Sequence, residues 1–329
     1  MKKIILVLLC FGLCFAVIGC KKKDGDGKKI AFQIAGTEAS TTPQSQAMFE
    51  VAKRLNESGR FDVKVYTDGA LGDTDDLVTQ GLQGAPIIVP SDPGRVSTNN
   101  GVPDFGILMA PYVLQDYSLL DKLLETEIYK QWEKDFEAKG LKIITANWYN
   151  GMRSFYTNKT INTPQDFAGL RIRGFGNAIG NGLAKSFGYA QTSMASGDIY
   201  NGVKQKSLDG AEIQLSYAAS AHFDEIFSDL TITNHYMLTS TLVCGTAFFN
   251  SMSESDRKLF QKTFREVGSQ WQEKVGSSEI GDIEKLSAGG VKINSPDIKP
   301  FQEAVQGIYT SVGFSEGLKD RLLSELGLN

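Results

Sequence analysis

From residue 29 to residue 89 the chain switches repeatedly between two periodicities. Apolar positions run or alternate over 29–35. They recur at helical spacing over 44–56, through Met48, Val51, Ala52 and Leu55. They alternate again over 61–66, turn helical over 75–82 and run apolar over 85–89. Period-two segments predict strands, and the three-to-four spacing predicts helices. Polar turn material separates them: 36–43 is rich in Thr and Ser, and Ser58-Gly59 closes the first helix. Strand, helix, strand, helix, strand predicts a parallel α/β sheet.

The pattern continues with a long amphipathic helix over 118–139, whose apolar side carries Leu119, Leu120, Leu123, Leu124, Ile128, Trp132 and Phe136. A strand over 141–146 follows. A second block then holds strands at 153–157, 170–173 and 210–213, a helix start at 163–167, helices at 177–187 and 196–203, and two strand-like runs within 231–249. Ser253-Glu254-Ser255-Asp256 opens a further helix, because the Ser side chain can accept from the N–H three residues on and acidic groups favour the positive helix end. Its pattern runs to Leu286 despite Gly268, Gly276 and Gly281. That length predicts a helix serving more than one domain, bent near a glycine. One or two helices over 301–326 complete the chain.

The 329 residues suit about two domains at roughly 150 residues each. The chain is 41% hydrophobic and 22% charged, which excludes a wholly disordered or collagen-like polymer. A formal charge of −4 gives no basic excess for nucleic acid. Met1-Lys2-Lys3 followed by an uncharged apolar run over 4–19 reads as a secretory leader. The run ends in Val17-Ile18-Gly19-Cys20, which resembles the bacterial lipobox. That resemblance implies cleavage before Cys20 and lipidation of Cys20, and several acyl chains anchor far more firmly than one. Lys2 and Lys3 leave with the leader, so 32 basic side chains then face 38 acidic ones, a net charge of −6. Cys10 and Cys14 leave too, so Cys244 has no thiol left to pair with. Residues 20–28, with Lys21-Lys22-Lys23, read as a flexible tether.

Catalytic motifs are absent. No Gly-x-Ser-x-Gly, phosphate-binding loop or His-Glu-x-x-His occurs, and the glycine-rich stretch from Arg173 to Gly180 lacks the third glycine at dinucleotide spacing. No Cys/His set has metal spacing, and no cofactor is implied. Asp73, Asp75 and Asp76 suit either a cation or, more simply, capping of a helix N-terminus. His222 and His235 have no nucleophile to serve and read as structural or surface groups. Cys244 sits among apolar residues and reads as a buried, inert thiol. Arg153 and Arg173 stand out, at the start of one strand and at the end of another. A guanidinium fixed beside a glycine suits bidentate capture of a carboxylate, and equally a structural salt bridge.

The same residues carry a family likeness. Trp148-Tyr149-Asn150-Gly151-Met152-Arg153 is followed by Asn158-Lys159-Thr160-Ile161-Asn162-Thr163-Pro164-Gln165-Asp166-Phe167-Ala168-Gly169-Leu170-Arg171-Ile172-Arg173. This resembles the solute-binding proteins of TRAP transporters, the DctP-type tripartite ATP-independent periplasmic systems. Gly69-Ala70-Leu71-Gly72, Ala110-Pro111-Tyr112-Val113 and Leu208-Asp209-Gly210-Ala211-Glu212 look like further landmarks. The resemblance implies a periplasmic-binding-protein-like fold, with two α/β domains, a ligand cleft between them and a long helix spanning both. The expected division is 29–150 with about 239–278, and 151–238 with about 279–329. It implies that Arg173 pairs with a ligand carboxylate, that Arg153 also reaches the ligand, and that Trp148, Phe175, Ser196, Glu212 and Ile213 belong to the same site. It also implies a partnership with membrane permease subunits driven by an ion gradient, a monomer as the default state, and room for a periplasmic helper protein.

Two departures from the family pattern bear on the ligand. Ile213 and Gln214 stand where many members carry Asn and Pro, and Ser196 stands near an aromatic position. Both predict a roomier, more apolar pocket, for a carboxylate with a hydrocarbon tail. A binding protein feeding a sensor or another importer is the competing expectation. A periplasmic enzyme is a weaker one, for want of a nucleophile or base.

Overall fold

The computed structural model describes residues 29–328. The expected leader, Cys20 and the tether lie outside them. Nine strands form one sheet: β1 (Ile30–Ala35), β2 (Phe61–Tyr66), β3 (Ile87–Ser91), β4 (Leu141–Thr157), β5 (Arg171–Gly174), β6 (Ala190–Ser193), β7 (Gly210–Gln214), β8 (Asp229–Gly245) and β9 (Lys292–Asn294). Their order is β2-β1-β3-β8-β4-β7-β5-β6, with β9 beside β8. β1 pairs in parallel with β2 and β3, as the alternation predicts. Helices α1 (Pro43–Glu57) and α2 (Thr74–Leu82) make the two crossovers.

β4 and β8 organise the molecule. Each is 17 residues long, and they pair antiparallel through several register shifts. At one end, residues 241–243 of β8 hold β3. At the other, residues 153–157 of β4 hold β7, and 229–231 of β8 hold β9. Two subsheets therefore share two strands. The short strands expected at 141–146 and 153–157 are one strand, and the two runs expected within 231–249 are another that ends at Gly245, where a short helix over Thr246–Ser251 takes over. Gly151, with φ of +120°, sits at one of the register shifts and turns the backbone without ending the strand.

Four apolar clusters cover the two faces of the two subsheets. Ala35, Val89 and Ile143 lie on one face of the first, and Phe32, Ile34, Ile88 and Ile144 on the other. Phe155 and Ile172 mark one face of the second, and Tyr156, Ala211 and Ile213 its reverse. Alternate residues of one strand fall into different clusters, as the strand period requires.

The long helix runs from Glu254 to Ala288, 35 residues, with Ser253 capping Asp256 N. It puts Phe260, Phe264 and Val267 into a cluster of the first half and Leu286 into one of the second. It passes through Gly268, Gly276 and Gly281 as one helix. A Cβ on Gly268 would collide with Asn147, and one on Gly276 with the Tyr117 ring, so these two glycines let the helix lie close. Among the described residues no helix is long and apolar enough to cross a membrane.

Three further expectations change. The helix expected over 118–139 is broken into Leu120–Leu123 and Glu127–Glu137, because Thr126 caps the second by accepting from Tyr129 N. The C-terminal segment holds three short helices, Lys299–Ala304, Ile308–Ser311 and Leu318–Glu325. The last of them was expected in the second domain. It places Leu318 and Leu322 with Leu120, Leu123 and Trp132 in the first-half cluster, and Lys122 Nζ donates to Leu326 O at 2.7 Å.

Candidate functional site

The carboxyl ends of β1 and β3 from the first half, and of β5 and β7 from the second, border one cavity of about 340 Å³. Ligand sites in open α/β sheets sit beyond such strand ends. The loop after β1 supplies Thr37 and Glu38, and α1 supplies Gln44. Ser91 and Asp92 follow from β3. Asn150 and residues 238–240 come from the shared strands. Arg153, Arg173, Phe175, residues 193–197, Ile213 and Gln214 come from the second half.

Arg153 is buried and ion-paired. Its Nε and Nη2 donate to the Glu212 carboxylate, the latter at 2.9 Å, and Nη1 donates to Gln214 Oε1 at 2.9 Å. Glu212 also accepts from His235 Nε2 at 3.2 Å. A carboxylate can only accept, so that imidazole nitrogen carries the proton, and Nδ1 takes the Thr233 hydroxyl at 2.8 Å. Burial alone would push the Glu212 carboxyl up. The Arg153 charge, with hydrogen bonds from His235 and Arg153, more than reverses this and holds it at about 2. Burial pulls the His235 imidazole down, against the pull of Glu212.

Arg173 differs. It is 7% exposed, and its Nε donates to Met194 O at 3.1 Å. Among the described residues no carboxylate lies within ion-pair distance of it. Burial, then the Arg153 charge, pull its guanidinium down to about 10, so it is still a cation at neutral pH. The Phe175 ring lies 4.4 Å from Arg153 Cζ and 5.6 Å from Arg173 Cζ, and so packs beside both planar groups.

Five of the seven residues expected at the site line the cavity: Arg153, Arg173, Phe175, Ser196 and Ile213. Glu212 and Trp148 do not. Glu212 stands behind Arg153 as its counter-ion. The Trp148 indole is buried against Phe264, and its Nε1 donates to Phe264 O at 3.0 Å. The acidic trio separates: Asp73 caps α2 by accepting from Asp76 N at 2.9 Å, and Asp75 accepts from Asn99 at 2.9 Å. Among the described residues no acidic, His or Cys cluster is placed to hold a metal ion. Burial pushes the Cys244 thiol up to about 12.

Sequence reasoning missed the first-half wall. Glu38 and Gln44 lay in and beside a polar turn, where side-chain direction is not written in any period. Asp92 had a signal, since Asp-Pro before a polar run ending in Gly101 is a helix with a cap and a stop. That helix is α3 (Pro93–Asn100), with Asp92 accepting from Arg95 N at 2.8 Å. Asn150 Nδ2 donates to Ser240 Oγ at 2.7 Å, which ties the two shared strands together at the cavity floor.

Comparison with known proteins places this geometry. The family described as bacterial extracellular solute-binding protein, family 7, matches residues 34–315. A sialic acid-binding periplasmic protein of Vibrio cholerae is 26% identical over 84% of this chain and 85% of its own. A solute-binding protein of Chromohalobacter salexigens is 30% identical over 81% of this chain and 80% of its own. A crystal structure of a TRAP periplasmic solute-binding protein from Actinobacillus succinogenes, with bound L-galactonate, superposes with a TM-score of 0.84. It is 25% identical and covers 91% of this chain and all of that one.

Proposed function

The chain belongs to the bacterial extracellular solute-binding proteins of family 7, and on that premise we propose that it is the solute-capturing component of a TRAP transporter. It takes a small organic acid into the cleft between its two α/β halves and hands it to a membrane permease that runs on an ion gradient. It binds its ligand without turning it over. Binding closes the halves about the strands and the long helix that join them.

Arg173 carries this reading. It is a buried cation with no carboxylate of the described chain beside it, in a cavity bounded by both halves. Arg153 has its charge met by Glu212, so it presents a rigid face and Arg173 presents the free charge. A ligand carboxylate supplies the missing anion and the second half of a bidentate pair. L-galactonate and sialic acid, the ligands in those relatives' names, are carboxylic acids, which agrees with it. The lining is mostly polar, with apolar contact from Phe175, Met194, Ile213 and Leu238. A long hydrocarbon tail would find little to pack against, so we favour a compact polar acid over the apolar-tailed one that Ile213 and Ser196 suggested.

The test starts with denaturing release of whatever acid co-purifies with the protein, followed by calorimetry with that acid. Leaving half of a desolvated ion pair unmatched costs about 3–5 kcal/mol. Arg173→Ala should therefore weaken binding by roughly two to three decades. Arg173→Lys should also weaken it, because the planar fork is lost. Undiminished binding by Arg173→Ala, or a released molecule with no acid group, overturns the carboxylate reading. Return of the acid chemically altered overturns binding without turnover.

The lipid anchor is part of the proposal and rests on Val17-Ile18-Gly19-Cys20. Cys20→Ser should move the protein from the membrane fraction to the soluble fraction. Equal partitioning of both forms rejects the anchor and leaves the binding role untouched.

A further inference from the structure

We propose that the ligand carries a cationic nitrogen as well as a carboxylate, and that Glu38 takes the nitrogen while Arg173 takes the carboxylate. The inference rests on the solute-binding reading above and adds the chemical class of the solute.

Pairing off the charges around the cavity leads to it. Arg153 is matched by Glu212. Arg95 is matched by Asp92 at 3.4 Å and Asp75 at 3.5 Å. Asp73 is the cap of α2. With the helix cap Asp73 held by the Asp76 N–H, the two lining charges left without an ion pair are of opposite sign and on opposite walls: Arg173 from the second half and Glu38 from the first.

Glu38 is held in place. Its carbonyl accepts from Asp68 N at 2.8 Å, which pins the loop after β1. Its side chain is half-buried and lines the cavity. Among the described residues no Lys, Arg or His lies within ion-pair distance of it, and the nearby Thr42 hydroxyl donates to Ala39 O at 3.1 Å. Burial pushes this carboxyl up, even with Thr42, Arg153 and Arg173 opposing. The protein alone therefore under-compensates the anion. A ligand with only a carboxylate would satisfy Arg173 and bring a second anion towards Glu38. A dipolar ligand satisfies both walls and draws them together, so its charge separation matches the direction of closure.

The experiment uses matched probes: γ-aminobutyrate against γ-hydroxybutyrate, δ-aminovalerate against δ-hydroxyvalerate, ε-aminocaproate against ε-hydroxycaproate, and the common amino acids against their α-hydroxy analogues. Thermal shift finds the binders and calorimetry ranks them. In at least one pair the amino member should bind roughly tenfold tighter or more, the margin of a charged over a neutral hydrogen bond. Glu38→Gln should erase that margin, weakening the amino member by far more than the hydroxy member. The inference falls if hydroxy acids bind as tightly as their amino partners, if Glu38→Gln keeps the preference, or if no amino-bearing probe binds. Should Glu38→Gln not fold, the wild-type ratio decides alone. The underlying carboxylate reading fails separately, if Arg173→Ala keeps the affinity of any probe that binds.

Discussion

Arg153 and Glu212 are two of the most buried charged side chains in the protein, at 1% exposure each, and they meet in a bidentate pair braced by Gln214 and His235. The family likeness implies that Arg153 reaches the ligand. The geometry adds that any such contact starts from a guanidinium already matched in charge, and this separates its role from that of Arg173. Glu212→Gln leaves the Arg153 charge buried and unmatched, and we expect a loss of about 3–5 kcal/mol in urea unfolding. The pH dependence follows from the sign of the shift. Glu212 sits at about 2 in the folded protein against 4.5 ordinarily, so the pair's contribution is fully present above pH 4.5 and is lost as pH falls towards 2. The stability gap between wild type and Glu212→Gln should therefore be widest at neutral pH and narrow steadily below pH 4.5. His235 adds a trend of the same sign, because burial holds its folded value below 6.5 and the unfolded chain takes up that proton first. A gap that does not change between neutral pH and pH 3 would mean that the carboxylate is not the ionised partner.

Among elements, what could be read in advance is what repeats. The alternation over Phe61–Tyr66 gives β2 to the residue, and Met48, Val51 and Leu55 give the buried stripe of α1. Ser253 gives the start of the long helix. What escaped is what depends on partners far away in the chain. β4 looked like two strands, because nothing local says that Trp148 through Met152 will be paired along their length by β8. β6 and β9 are four and three residues long, too short for a period to show. The helix expected over 118–139 failed for the opposite reason: its apolar stripe is real, but Thr126 offers a cap that ends one turn and begins another. The site divides in the same way. Arg153, Arg173 and Phe175 lie in a stretch where strand ends, glycines and a family motif coincide. Glu38 lies in a turn whose facing wall is 135 residues further along the chain at Arg173, and only the fold brings them to one cavity.

Across the whole molecule, the two halves are joined by β4, β8 and the long helix, so the elements that connect the halves also belong to both cores. This arrangement predicts one cooperative unfolding transition, and the placement of the tryptophans makes it testable. Trp132, Trp148 and Trp271 all pack in the clusters of the first half. Phe155 is fully buried in the second, 4.4 Å from the Phe167 ring and 4.8 Å from the His235 ring. Truncating a buried Phe of this kind costs about 3–5 kcal/mol. If the halves unfold together, Phe155→Ala should lower the urea midpoint seen by tryptophan fluorescence as much as the one seen by far-ultraviolet circular dichroism, with the slope unchanged. The damage travels because Phe155 and Trp148 share β4, and because the long helix cannot release Leu286 without loosening the strand against which Phe264 packs. A tryptophan midpoint left at the wild-type value, with an earlier second step in the dichroism, would show instead that each half stands alone and that the shared strands serve only as a flexible joint. In the cooperative case, a ligand that bridges Glu38 and Arg173 stabilises both halves through one binding event, and closing the cleft and holding the fold together become the same free-energy change.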